Sequence, residues 1–185
     1  MPVQIGSVTH TFSDPTGLLS DCHRRIEMFI DVLKAVADGS DQQLTNEKRS
    51  SLATALRYFR EAAPKHTADE EESLFPRLRA MNVPELKVAL DRLEGLEQDH
   101  RWAESLHETA DRLGNRYLDS GRLSPDDAQI FRNAVHQLRA MYRRHIDIED
   151  REVFPVVARY LSGEQKEQIA REMASRRQVK AVAAP

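Results

Sequence analysis

The chain has 185 residues, 40% hydrophobic and 31% charged, with a formal net charge of −3. That length suffices for one domain with a sizeable core, and the weakly negative balance supplies no electrostatic case for nucleic acid or membrane as partner. The lone cysteine, Cys22, excludes an intramolecular disulfide, and the opening MPVQIGSVTHTFSDP has neither the basic start nor the apolar run of a signal peptide.

No stretch approaches the roughly 20 apolar residues of a membrane span, so a cytoplasmic location is expected. Seven glycines, eight prolines and little strand-like alternation point to an all-α protein. Asp14-Pro15 opens the first helix as a cap followed by proline. Leu19, Ile26, Ile30, Leu33 and Ala37 follow at helical spacing, and Gly39 ends it. Asn46 is the expected cap of a second helix whose stripe is Leu52, Leu56, Phe59 and Ala63. Pro64 reads as a kink, because the pattern resumes through His66, Glu70 and Leu74.

Asn82-Val83-Pro84 breaks the chain before a third segment over 84–119, in which Gly95 is expected to separate a short helix from the main one. Gly121 ends that segment. Ser124-Pro125-Asp126-Asp127 is a strong helix start, with cap, proline and acids at the positive end of the macrodipole. The fourth helix carries Phe131, Val135, Leu138, Tyr142 and His145. Ser162 and Gln165 form a capping box for a fifth helix ending near Arg176-Arg177. The expected organisation is one domain over 1–185. An N-terminal arm (1–13) precedes an up-down-up-down antiparallel four-helix bundle (14–161), which is followed by a short helix (162–177) and a tail (178–185).

Two segments share a pattern. HTADEEESLFP runs from His66 to Pro76, and HIDIEDREVFP from His145 to Pro155. Each has Glu four residues after His, then Phe-Pro. Helix 1 adds His23 and Glu27, and helix 3 adds His100 and Glu104. The spacing between equivalent histidines is 79 residues for the first pair and 77 for the second, so the chain reads as two tandem helical hairpins. Residues four apart lie on one helix face, about 5–6 Å apart at Cβ. All four histidines fall on apolar stripes. Four imidazoles and up to four carboxylates are therefore expected to point inward. Burying them unpaired costs several kcal/mol each, which a cation would relieve. Mixed imidazole and carboxylate ligands suit iron or manganese, and the cysteine-free set is a poor match for structural zinc. Inward His and Glu from four helices are a known two-metal arrangement.

The pattern resembles the hemerythrin and HHE cation-binding family over about residues 8–177. The resemblance implies His23, His66, Glu70, His100, His145 and Glu149 as ligands, with Glu70 and Glu149 in the places of the bridging carboxylates. It also implies two iron ions joined by an oxo or hydroxo bridge, with manganese or zinc as possible substitutes. Glu104 stands where the oxygen carriers place a second histidine, and Glu149 follows His145 by four residues where they have Asp at five. The chain is thus nearer to the H-HxxxE-H-HxxxE members. With Glu27 and Glu104 added, each iron would be closed to exogenous ligands. Tyr142, Glu71 and His107 are candidates to hydrogen-bond the ligands or a bound species. His136 falls off the stripe, and Trp102 reads as packing. The functional expectation is a di-iron protein that senses or handles oxygen, peroxide, nitric oxide or iron, its partner a small diatomic or peroxide ligand. A peroxide-decomposing or oxidase enzyme, or a bundle with a purely structural metal, is the alternative.

Overall fold

A computed structural model describes residues 10–179; the first nine residues of the expected arm and the last six of the expected tail lie outside them. Among the described residues every regular element is helical. No described helix is long and apolar enough to cross a membrane.

Local chemistry explains most boundaries. Helix α1 (Pro15–Ala37) starts where Asp14 accepts a hydrogen bond from the Gly17 amide at 3.1 Å. Helix α2 (Asn46–Glu61) is capped one residue earlier than expected. Thr45, in extended conformation, accepts from the Lys48 amide, while Asn46 is already helical. The chain breaks at Ala62, just before α3 (Ala63–Ala68), so Pro64 sits in a first turn where its missing N–H costs nothing. A π-helical wide turn, Asp69–Leu74, leads into α4 (Phe75–Ala80). After a 3₁₀ turn at Pro84–Leu86, α5 (Lys87–Ser120) runs unbroken through Gly95, contrary to expectation. One interior glycine costs only about 1 kcal/mol of helix propensity, too little to split a helix this long.

Helix α6 (Pro125–Ile148) begins where the Ser124 hydroxyl accepts from the Asp127 amide at 3.1 Å. A second wide turn, Glu149–Val153, leads into α7 (Phe154–Tyr160). The expected capping box of Ser162 and Gln165 opens α8 (Gly163–Arg176).

The chain divides into two compact units. The described part of the first comprises residues 10–25, 65–95 and 146–179; the second is 26–64 with 96–145. Leu19, Leu74, Phe75, Leu78, Val157 and Ile169 are fully buried in the first. There α8 packs on the wide turn at 69–74, and α7 lies beside the 3₁₀ turn. Leu33, Leu52, Leu113, Phe131, Val135 and Leu138 are fully buried in the second. The buried Tyr117 hydroxyl there donates to the carbonyls of Gly39 and Gln42, at 3.1 and 3.0 Å, and so fastens the loop after α1. Gly121 has φ +71°, the left-handed conformation that glycine adopts at a helix end. Trp102, expected to pack, is instead 45% exposed.

Candidate metal centre

The wide turns grow out of the repeated motif. Pro76 and Pro155 have no N–H, so neither can donate to the carbonyl four residues before it. In both places the preceding phenylalanine reaches back one residue further than in an α-helix: the Phe75 amide bonds to the Glu70 carbonyl, and Phe154 to Glu149. Each wide turn thus begins around a glutamate and closes on Phe-Pro. Insertions of this kind recur at functional sites.

In the first unit these turns bring four side chains together. Ligand atoms of His23, His66, Glu70 and Glu149 all lie within 4.8 Å of one another. His23 Nε2 is 3.1 Å from Glu149 Oε2 and 3.7 Å from Glu70 Oε1, and His66 Nε2 is 3.1 Å from Glu70 Oε1. Both glutamates are fully buried. Atoms bound about 2.1 Å from one ion stand about 3.0 Å apart when adjacent and about 4.2 Å when opposite. The set therefore fits a single cation with small inward adjustments. Two imidazoles, two carboxylates and no thiol suit iron or manganese. The phenylalanine of the second motif has a place here too: Phe154 stacks on the His23 ring at 5.3 Å between centroids.

The pocket is strongly electronegative. Burial opposes a charge on His23, but the Asp150, Glu149 and Glu70 carboxylates outweigh it and raise its pKa well above the ordinary value. A pocket that draws a proton onto a buried imidazole also attracts a divalent cation. Asp150 orients the ring: its Oδ1 is 3.0 Å from His23 Nδ1, which turns Nε2 toward the two glutamates, and Ser20 donates to the same oxygen at 2.6 Å. Burial pushes the Asp150 carboxyl up, but His23, Ser20 and Arg24 together hold it below its usual range.

The second unit carries the other two histidines. His100 and His145 are buried, with ring centroids 4.7 Å apart. Asp99 Oδ2 lies 3.5 Å from His145 Nδ1, and Arg144 holds the other Asp99 oxygen. Burial raises the Asp99 pKa, but His145 and Arg144 reverse that and lower it. His107 Nε2 is bonded to the Tyr142 hydroxyl at 2.8 Å, and Phe59 lies against the His107 ring at 4.7 Å. Burial pushes the His107 pKa down to about 4, so the imidazole is neutral.

Among the expected ligands, His23, His66, Glu70 and Glu149 come together, and His100 stands beside His145. Glu27 and Glu104 are exposed and join neither group. Glu71 is half-buried beside Glu70, while Tyr142 and His107 are paired with each other. His136 is exposed, as expected, and bonds to Asp38 at 2.7 Å. The orienting carboxylates Asp99 and Asp150 were not anticipated. Each is the immediate neighbour of an expected ligand, His100 or Glu149, and that adjacency was the available signal.

The chain is 28% identical, over 171 residues, to an uncharacterized protein of Haemophilus influenzae, covering 92% of this chain and 94% of that one. The family model described as "Hemerythrin HHE cation binding domain" matches residues 14–157, a span that contains every histidine and glutamate of both groups. The chain belongs to the hemerythrin HHE cation-binding domain family.

Proposed function

We propose that this protein is a di-iron protein that senses or handles a small ligand: oxygen, peroxide, nitric oxide or iron itself. The observation that carries this reading is the burial of His23, His66, Glu70 and Glu149 in one set while Glu27 and Glu104 stay outside. A six-coordinate ion on that set takes four protein atoms. Two positions are then left for water or a small exogenous ligand, where the sequence alone had suggested a closed shell. His100 and His145, with Asp99 behind His145, are the imidazoles proposed for the second ion. Iron supplies redox chemistry and affinity for diatomic ligands. The protein's part is to hold the His23 and His145 imidazoles in one tautomer through Asp150 and Asp99, and to keep a buried, negatively charged pocket around the ion. A cytoplasmic setting, where thiols stay reduced, accords with the free, buried Cys22.

Metal analysis of protein produced with iron in excess tests this. Two irons per chain are expected, with a visible absorption band that bleaches on reduction and returns in air. At most one ion per fully loaded chain would overturn the two-metal reading. A colourless protein holding zinc would point to a structural metal instead.

A further inference from the structure

Helix α8 lies beyond the residues that match the family model, yet it is tied to the wide turn that carries Glu70. Arg176 Nη1 is 2.9 Å from Asp69 Oδ1, and Arg177 Nη2 is 2.6 Å from Asp69 Oδ2, so two guanidinium groups hold one fully buried carboxylate. Arg176 also donates to Ser73 Oγ at 2.9 Å and to Glu72 Oε2 at 3.0 Å. From the other direction, Arg77 pairs with Glu172 of α8 at 2.7 Å and donates to the Ser73 carbonyl at 2.6 Å. Asp69, Glu72 and Ser73 all belong to the wide turn, and Asp69 directly precedes Glu70. The wide turn at 149–153 is held otherwise: Ser20 and His23 bond to Asp150, and an exposed Arg92 pairs with Glu152.

We propose that Arg176 and Arg177 are positioning residues: by gripping Asp69 they hold the wide turn of 69–74 in the register that aims Glu70 at the metal. An extra residue in a helix loosens its hydrogen-bond ladder, and the direction in which Glu70 points depends on that insertion staying in place. Two planar guanidinium forks fix a carboxylate in direction as well as distance, which a lysine cannot do. The inference rests on the metal-centre reading above.

The test uses the full-length, metal-free protein titrated with Co²⁺ alone and read by visible absorption. His66→Ala identifies the band that belongs to the His23 set. The Arg176→Ala/Arg177→Ala variant should bind Co²⁺ at that set at least about tenfold more weakly and with an altered band. Arg176→Lys/Arg177→Lys should recover affinity but not the parent band. Arg60→Ala, which breaks a salt bridge to Asp111 in the second unit, should change neither. Hydrogen exchange at the Phe75 amide in the single variants Asp69→Asn and Arg177→Lys is the second measurement, since that amide closes the wide turn and needs no metal. Its protection should fall in both. An unchanged band and affinity in the double alanine variant, or unchanged Phe75 protection in the single variants, would overturn the positioning role alone. A parent protein that binds no Co²⁺ would overturn the metal centre and this inference together.

Discussion

Two pairs of helical segments carry the same His-x-x-x-Glu spacing and come out differently. In the segments that pass into wide turns, His66 with Glu70 and His145 with Glu149, both members are buried. In the straight helices α1 and α5, His23 and His100 are buried while Glu27 and Glu104 are exposed. The difference is one of phase. A four-residue step turns a helix about 40° beyond one full turn. His23 and His100 lie about 40° past the middle of their stripes, so the next glutamate falls about 80° out, on the solvent side. His66 and His145 lie about 40° before the middle, and the next glutamate lands at the centre. Spacing establishes that two side chains are neighbours; phase establishes whether they are inside.

The largest effect that would break the comparison is on metal content. Glu70→Ala and His66→Ala should each lose at least one ion per chain by elemental analysis, whereas His136→Ala should lose none. Retention by all three would sink the assignment. Next comes the effect of the metal itself. At a free concentration of about 1,000 times Kd, bound metal should add about 4 kcal/mol to stability, seen in urea unfolding with and without a chelator. An unshifted midpoint would mean that the ion does not bind the folded state preferentially.

The unbroken helix α5 carries a second histidine, His107, which offers a pH test. Its folded pKa of about 4 lies below the ordinary 6.5, so on acidification the unfolded chain takes the proton first. Its effect on stability is absent above about pH 6.5, grows as the pH falls, and is complete near pH 4, at most on the order of 3 kcal/mol. Metal-free protein should show that slope and the His107→Phe variant should lack it; identical slopes in the two proteins would refute it. Smaller again is Asp150→Asn. It leaves the ligands of the His23 set in place but removes the charge that orients His23, and metal affinity should fall about 10- to 100-fold. The smallest effects belong to Glu27→Gln and Glu104→Gln, which should alter stability by no more than about 0.5 kcal/mol and leave metal content unchanged. Loss of an ion in either would show that these exposed carboxylates turn inward.

Much of this was legible before the structure. The caps at Asp14, Ser124 and Ser162 were readable because they depend on a few neighbouring residues, and the buried histidines because apolar stripes are local patterns. The burial of Glu70 and Glu149 could have been told from the exposure of Glu27 and Glu104 by following the phase of each stripe through the histidine. The wide turns had their sign in Pro76 and Pro155, six residues after each glutamate. Gly95 misled in the other direction, because a weak local propensity yields to the packing of a long helix.

By itself the sequence determined an all-helical chain, the capped starts of its helices to within a residue, and four buried histidines, since each of these follows from the 3.6-residue period and from short-range hydrogen bonding. Only the tertiary structure decided which carboxylates orient those imidazoles from behind and what holds the turn that carries Glu70. Asp150 reaches His23 across 127 positions of the chain, and Arg176 reaches Asp69 across 107. Such pairs leave no periodic trace, because they depend on which helix ends pack side by side and not on any pattern within one helix.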